Sequence, residues 1–231
     1  MRTNRYRELL GKLGYRRISR FDLLHALHVI AKVTNYPSET QTKQLKHFLG
    51  YILKTVDQHA EFYPTTPTTT ATVIAGISDA EWAGNAKDRR SVGGCFIYVN
   101  SSCILATSKA QGIVTSAAAN AELIELFRTT KHLIYIKGQL RELGVEPVQT
   151  ILLTDSQAAV DAMHRSVTEK SKHLAIYILF VKQELSNMFQ VKHIKREQNF
   201  ADILTKQSKA DVFQELWAAA SSPFKWVHKL V

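Results

Sequence analysis

The order of strand-like and helix-like segments after residue 72 restricts the fold of this chain most. Alternating and β-branched apolar runs predict strands at Thr72–Asp79, Val92–Val99, Cys103–Ser108, Thr150–Thr154 and Gln190–Lys195. Apolar residues at helical spacing predict helices at Ser116–Leu143, Gln157–His164 and Lys172–Met188, and a last helix from about Asn199. This order predicts an α/β domain in which helices flank a mixed five-stranded sheet.

The residues before this domain have a different pattern. Leu45, Phe48 and Leu49 recur at helical spacing, and residues 35–38 (Asn-Tyr-Pro-Ser) interrupt the pattern between two helices. Residues 64–72 contain two prolines and six threonines, a composition typical of a linker. We therefore predict a small helical segment at 1–63, a linker at 64–72 and the α/β domain at 73–231.

The charge of the chain favours a polyanionic partner. The 231 residues include 30 Lys and Arg against 20 Asp and Glu, which gives a net charge of +10. An ordinary solvated basic surface remains the alternative for any single cluster. The sequence has no apolar run long enough to span a membrane, and its first residues lack the apolar block of a signal peptide. We expect a soluble protein that is not secreted and has no membrane partner.

The two cysteines are expected to stay reduced. Cys95 and Cys103 flank a predicted hairpin turn at Asn100 and Ser101. A two-residue loop there pairs Cys103 with Tyr98 across the hairpin. Because successive side chains of a strand point to opposite faces, the two thiols then lie on opposite faces of the sheet. The pattern therefore predicts two free thiols.

Four acidic residues stand at positions where they can converge. Asp79 ends the first strand and Asp155 ends the fourth, while Glu122 lies beside the apolar stripe of the long helix. Asp202 begins the last helix. Sites in open sheets form at the carboxyl ends of strands, and clustered carboxylates need cations to offset their repulsion. Two Mg²⁺ or Mn²⁺ ions about 3.5–4 Å apart are the usual device for hydrolysis of a phosphodiester.

Each acid also has a structural interpretation when it is considered alone. An aspartate after a strand is often a turn former or a helix cap, and a glutamate in a long helix usually faces solvent. The occurrence of all four acids in this order of elements, in a basic chain, favours the metal site. The residue pattern alone leaves both interpretations open.

Several longer motifs extend this interpretation. In chain order they read YRELLGKLGY, RFDLLHAL, TKQLKHFLGYILKT, SDAEWAGNAKDRRSVGG, TSKAQGIVTSAAANAELIEL, LLTDSQAAV, SKHLAIYILFVKQEL and FADILTK. The last five resemble the ribonuclease H domain at the end of copia-type (Pseudoviridae) retrotransposon Pol polyproteins. The first three resemble the connection segment that joins the reverse transcriptase to that domain. The resemblance spans nearly the whole chain.

The resemblance implies a fold, a reaction and partners. It implies a ribonuclease H-like fold in which Asp79, Glu122, Asp155 and Asp202 form a tetrad that holds two Mg²⁺ ions, with Mn²⁺ as an alternative. The implied activity is endonucleolytic hydrolysis of the RNA strand of RNA·DNA hybrids. The implied partners are that hybrid and a reverse transcriptase polymerase domain in a longer polyprotein. The implied location is the cytoplasm, in a virus-like particle for an active element, or alternatively the nucleus.

Eight residues are candidate nucleic-acid contacts. Asn85, Ser156 and Gln157 are candidates for polar contacts to the 2′-hydroxyl groups of a hybrid. The candidates for phosphate contacts are the basic residues Arg89, Arg90, Lys109, Lys195 and Arg196. Each of these basic residues is about as well explained as a solvated surface charge.

Departures from the family pattern keep two other functions open. Asn120 replaces the first acid of the family's helical motif, and Ala175 and Tyr177 occupy positions that are usually polar. No polymerase core is present in these residues. The alternatives are a catalytically decayed or domesticated nucleic-acid-binding domain and a structural domain that tethers a partner. Retention of the four acids favours the nuclease, because a decayed site has no physical reason to keep a repulsive cluster.

Overall fold

The chain folds into two compact units. The computed structural model describes residues 3–62, 71–85, 87–167, 169–186 and 189–221. The units are Met1–Ala60 and Glu61–Val231. Residues 63–70 lie outside the described part, so the division into 1–63, a linker at 64–72 and 73–231 stays a prediction.

The first unit is helical, as its sequence pattern predicts. Its helices are α1 (Thr3–Arg16), α2 (Leu24–Ala31) and α3 (Glu39–Lys54), with a short 3-10 helix at Phe21–Leu23. Ser38 and Gln41 form a capping box that begins α3, which explains the break that the sequence shows there. The core of this unit contains apolar side chains from all three helices, among them Tyr6, Leu10, Leu27, Leu45 and Phe48.

The second unit contains the predicted mixed sheet. Its strands are β1 (Thr72–Glu81), β2 (Val92–Val99), β3 (Ser102–Ala110), β4 (Pro147–Thr154) and β5 (Phe189–His193). Its α-helices are α4 (Ala118–Glu142), α5 (Gln157–His164), α6 (Ala175–Glu184) and α7 (Ala210–Ser221). The strand order is β3-β2-β1-β4-β5. The pairs β1-β2 and β2-β3 are antiparallel, and the pairs β1-β4 and β4-β5 are parallel. The predicted α/β class, with five strands flanked by helices, is confirmed.

Alternate residues of β2 show how the sheet is covered. Cys95 and Ile97 belong to a buried cluster that also contains residues of α4, α5 and α6. Phe96 and Tyr98 point the other way, and both rings contact Phe200, at 5.8 and 5.9 Å between centroids. Both faces of the central strands are therefore buried. None of the helices in the described part of the chain combines the length and hydropathy that crossing a bilayer requires.

The hairpin between β2 and β3 confirms the prediction for the cysteines. Tyr98 pairs with Cys103, and Asn100 adopts a positive φ of 53° in the turn. Both Cys95 and Cys103 are buried free thiols.

Two predicted helices are wrong in extent. In place of the predicted helix Lys172–Met188 the structure has a 3-10 helix at Glu169–Leu174 followed by α6, which ends where Leu185 adopts extended backbone angles. Residues 187 and 188 of the predicted helix lie outside the described part of the chain. The single last helix predicted from about Asn199 is instead two helices: a 3-10 helix at Phe200–Leu204 and, after the non-helical residues 205–209, α7. The break matters because the 3-10 helix carries Asp202.

Candidate active site

Three aspartate carboxylates meet at one edge of the sheet. Asp79 lies near the carboxyl end of β1, and Asp155 directly follows β4. Because β1 and β4 are parallel neighbours, their carboxyl ends lie at the same edge. Asp202 reaches this edge from the 3-10 helix Phe200–Leu204. One carboxylate oxygen from each aspartate lies within 4.8 Å of the others.

Glu122 approaches the same site from α4. Its Oε1 accepts a hydrogen bond from the backbone N–H of Ala80, with 3.3 Å between nitrogen and oxygen. Its other oxygen, Oε2, is buried and has no hydrogen-bond partner in the described residues. Burial, followed by the negative charges of Asp79 and Asp155, raises the pKa of Glu122 to about 9. Glu122 is not one of the three residues whose carboxylate oxygens lie within 4.8 Å of one another, but the charges of two of them, Asp79 and Asp155, act on it.

Asp79 is the most enclosed of the three aspartates. It is 1% exposed. Burial, and then the charge of Asp202, raises its pKa to about 7. The Thr205 hydroxyl donates a hydrogen bond to Asp79 Oδ2. The Lys206 ammonium lies 3.2 Å from Asp79 Oδ1 and 2.8 Å from Asp202 Oδ1, so it partly neutralises the two acids.

The donor set fits a hard divalent cation. All four candidate ligands are carboxylates, the oxygen donors that Mg²⁺ and Mn²⁺ prefer. The Oε2 of Glu122 has no hydrogen-bond partner in the described residues, and a cation that binds it would replace the proton of this carboxyl group. Three of the four predicted ligands are within reach of one ion, and the fourth borders them.

Sequence reasoning missed three residues that support the acids. They are Asn199, Thr205 and Lys206. A signal for Lys206 existed, since it stands four residues after Asp202 and helical spacing brings such residues together. Asn199 is fully buried and donates to Asp155 Oδ1 at 2.9 Å.

Glu125 is fully buried in the next turn of α4. Its Oε2 accepts a hydrogen bond from Arg128 at 2.9 Å. It is not part of the oxygen group that joins the three aspartates.

The candidate nucleic-acid contacts follow the same edge of the sheet. Arg89 and Arg90 lie in the loop between β1 and β2, where both are exposed. Lys109 of β3 pairs with Gly93 of β2, and Gly93 pairs in turn with Ala80 of β1. Lys109 is therefore level with the residue after Asp79, two strands away. The remaining candidates follow a strand that ends at this edge; they are Asn85 after β1, Ser156 and Gln157 after β4, and Lys195 and Arg196 after β5. Their roles stay predictions.

Four of these candidates already have local partners. Asn85 Oδ1 accepts from the N–H of Lys87 at 3.3 Å, and Arg90 Nε lies 3.7 Å from Asp88 Oδ2. The Ser156 hydroxyl oxygen caps α5 by accepting from the N–H of Ala159 at 3.2 Å. The Gln157 amide donates to Asp161 Oδ1 at 2.7 Å. A 2′-hydroxyl contact by Ser156 would have to coexist with its role as the cap of α5.

Without metal, the stability of the protein should fall as the pH rises from about 6.5 to about 9. The pKa values of Asp79 and Glu122 are raised to about 7 and about 9, so the folded state holds protons that the unfolded chain has lost. Burial raises the pKa of Glu125 to about 7, which acts in the same direction. Each group makes the folded state lose stability as the pH rises between its ordinary pKa and its raised pKa. Melting temperatures across this pH range, in a chelator, measure the effect.

Glu122→Gln is the control for this prediction, because it removes one titrating group and should flatten the upper part of the profile. Mg²⁺ should add more stability at high pH, since it needs unprotonated ligands. Metal-free stability that rises from about pH 6.5 to about pH 9 would contradict the prediction.

Lys206→Met should lower the stability of the metal-free protein and enlarge the stabilisation by Mg²⁺. Methionine keeps the length of the side chain but removes the charge between Asp79 and Asp202. The expected loss is about 1–2 kcal/mol, because the lysine side chain is 27% exposed and water screens the ion pairs. Lys209→Met is the matched control, because Lys209 is an exposed lysine three residues after Lys206. Equal Mg²⁺ effects in the two variants, measured as melting-temperature shifts, would mean that Lys206 and Mg²⁺ do not compete for Asp79 and Asp202.

Comparison with known proteins identifies relatives along most of the chain. No protein-family profile matches it. It is 27% identical over 217 residues to the retrovirus-related Pol polyprotein from transposon TNT 1-94 of Nicotiana tabacum, an alignment that covers 91% of this chain and 16% of the polyprotein. It is 28% identical over 212 residues to the Pol polyprotein from transposon RE1 of Arabidopsis thaliana, covering 90% of this chain and 14% of the polyprotein. The chain thus spans less than a fifth of these relatives.

A shorter relative is similar over most of its own length. The secreted RxLR effector protein 161 of Plasmopara viticola is 30% identical over 142 residues, which are 61% of this chain and 97% of that protein.

Solved structures with a similar backbone include two ribonuclease H domains. The N-terminal RNase H domain of Mycobacterium tuberculosis Rv2228c has a TM-score of 0.42 and 18% identity, and the match covers 65% of this chain and 99% of that chain. LC11-RNase H1 in complex with an RNA/DNA hybrid has a TM-score of 0.44 and 21% identity, with 57% and 93% covered.

Proposed function

The chain belongs to the retrovirus-related Pol polyproteins of copia-type transposons, and from this premise we propose that it is a metal-dependent ribonuclease H. Its substrate would be the RNA strand of an RNA·DNA hybrid. The observation that carries the proposal is the meeting of Asp79, Asp155 and Asp202 within 4.8 Å at one sheet edge. Such a cluster of acids in a chain of net charge +10 suits a cation and a phosphodiester together.

The residues of the chain have distinct roles in this mechanism. Asp79, Asp155 and Asp202 would hold the metal, and the free oxygen of Glu122 would complete the set of ligands. Two bound Mg²⁺ ions, with Mn²⁺ as a substitute, would supply an activated water and stabilise the leaving 3′ oxygen. The Ala80 N–H holds Glu122 in place by donating to its other oxygen. The RNA would be left with 5′-phosphate and 3′-hydroxyl ends.

The hybrid would lie along the edge of the sheet that carries the acids. Arg89, Arg90 and Lys109 border this edge from the β1–β2 loop and β3, and Lys195 and Arg196 border it from the end of β5. Contacts from these cations to phosphate would supply affinity. Asn85, Ser156 and Gln157 would read the 2′-hydroxyl groups and so distinguish RNA from DNA.

Replacing Arg89 and Arg90 together with glutamine should weaken hybrid binding and reduce its salt dependence. Each lost phosphate contact should lower the slope of log affinity against log salt by about 1. Hybrid affinity measured at several salt concentrations gives this slope. Arg141→Gln is the control, because Arg141 is paired with Glu146 near the end of α4. It lies about 29 Å from Glu122 along that helix at about 1.5 Å per residue. An unchanged slope in the double variant would exclude phosphate contacts by this loop.

The family also suggests a context for the activity. The relatives are polyproteins several times longer than this chain, so we propose that a reverse transcriptase polymerase domain is its partner in a longer protein. We propose the cytoplasm, within a virus-like particle, as the place of action, with the nucleus as the alternative.

Cleavage of defined substrates tests the proposed function. A labelled RNA·DNA hybrid should be cut in the RNA strand with Mg²⁺, and a chelator should stop the reaction. Single-stranded RNA and duplex DNA should remain intact. Salt-dependent hybrid binding without cleavage would instead support the decayed nucleic-acid-binding domain, and neither binding nor cleavage would support a structural domain.

A further inference from the structure

Asn199 forms hydrogen bonds with each of the three segments that carry the aspartates Asp79, Asp155 and Asp202. Its side chain is fully buried. Its amide nitrogen donates to Asp155 Oδ1 at 2.9 Å and to the backbone carbonyl of Ser78 at 3.1 Å. Its amide oxygen accepts from the backbone N–H of Ala201 at 3.2 Å.

These three bonds reach the residues that set the positions of the acids. Ser78 immediately precedes Asp79 in β1, and Ala201 immediately precedes Asp202 in the 3-10 helix. The third bond goes to the carboxylate of Asp155 itself. Because the amide oxygen serves as the cap of the 3-10 helix, its orientation also fixes the direction of the two donor hydrogens. One rigid side chain therefore links three separate parts of the chain at the site.

The bond to Asp155 differs from those made by the other aspartates. Asp79 and Asp202 both contact the Lys206 ammonium, which offsets part of their charge. Asp155 is held by a neutral amide, which orients the carboxylate without adding a positive charge. An oriented carboxylate with its full charge is a better cation ligand than one that rotates away from Asp79 to reduce repulsion.

We propose that Asn199 is a positioning residue that sets the divalent-cation affinity of the acid cluster. This inference rests on the proposed function, because it assumes that the cluster binds a cation. Asn199 acts through Asp155 and through the backbone next to Asp79 and Asp202.

A pair of substitutions separates this role from helix capping. Asn199→Ser keeps a side-chain oxygen that can cap the 3-10 helix, but it removes the amide donors. Asn199→Ala removes both. A difference between the two variants therefore reports the cap, and a defect that they share reports the lost donors. If Asn199→Ala fails to fold, the serine variant alone decides.

The measurement is the Mg²⁺ concentration that gives half of the maximal rise in melting temperature, with hybrid cleavage followed in parallel. Both variants should need roughly 10- to 100-fold more Mg²⁺ than the wild type, the range found when outer partners of metal ligands are lost. Excess Mg²⁺ should restore cleavage in the serine variant, which a purely structural defect would not allow.

A serine variant with the wild-type Mg²⁺ midpoint would overturn the inference about Asn199 and leave the proposed function intact. A wild-type protein that neither gains stability from Mg²⁺ nor cleaves the hybrid would overturn both. A wild-type protein that binds Mg²⁺ without cleavage would overturn the proposed function, while the midpoints would still decide the role of Asn199.

Discussion

Asp155→Asn should abolish hydrolysis of the RNA·DNA hybrid while hybrid binding persists. The substitution keeps the shape of the side chain and removes one negative ligand from the oxygen group that also contains Asp79 and Asp202. The loss of activity should exceed about 100-fold, the upper range for losing only an outer partner of a metal ligand. Cleavage rate and hybrid affinity are measured on the same preparations.

The stability of this variant distinguishes a metal ligand from a structural aspartate. The charge of Asp155 contributes to the raised pKa values of Asp79 and Glu122, so its removal relieves repulsion. The melting temperature in a chelator should therefore not fall. Asp211→Asn, which removes an exposed acid in the first turn of α7, is the matched control and should keep full activity. Equal cleavage by Asp155→Asn and wild type would mean that Asp155 is a turn residue.

Gly94→Ala should destabilise the protein and damage the site at the same time. Gly94 pairs with Asp79 across β1 and β2. An added Cβ would lie 2.5 Å from the Cβ of Leu204 and 3.2 Å from the carbonyl oxygen of Thr107. Neither atom is at the flexible end of a side chain, so the 3-10 helix Phe200–Leu204 must move. Overpacking of this kind costs about 1–3 kcal/mol.

The movement would also displace Asp202, which the same 3-10 helix carries. Mg²⁺ stabilisation and hybrid cleavage should therefore fall together with the melting temperature. Gly138→Ala in α4 is the control, since its added Cβ has no atom within 4 Å. It should leave activity unchanged and stabilise the protein by up to about 1 kcal/mol. A Gly94→Ala protein with the wild-type melting temperature and Mg²⁺ response would refute the proposed packing.

The sequence pattern predicts those site residues whose positions depend only on the strand or helix that carries them. Strand ends predict the positions of Asp79 and Asp155, and the edge of the apolar stripe places Glu122 next to the sheet. The pattern does not predict the strand order, because a crossover after β3 can add the next strand at either edge of the antiparallel strands β1 to β3, and the structure places β4 beside β1.

Contacts between distant segments could not be predicted in this way. Periodicity predicts which face of an element is buried, but not which residue lies opposite. The bond from Asn199 to Ser78 joins residues 121 positions apart, and the contact from Lys206 to Asp79 joins residues 127 positions apart. On α4 the periodicity does not separate Glu122, which is half-buried beside the aspartates, from Glu125, which is fully buried and pairs with Arg128 on the same helix. The break after Leu204 was missed because a 3-10 helix and an α-helix share similar apolar spacing over one turn.

Direct counting of bound metal tests the central claim, that the acid cluster is a divalent-cation site. Electron paramagnetic resonance of free Mn²⁺ can be followed as protein is added to a fixed amount of the ion. The wild type should remove Mn²⁺ from solution with saturable stoichiometry, Mg²⁺ should displace it, and the double variant Asp79→Asn/Asp155→Asn should leave the signal unchanged. Equal Mn²⁺ binding by the wild type and the double variant, or binding by neither, would contradict the account.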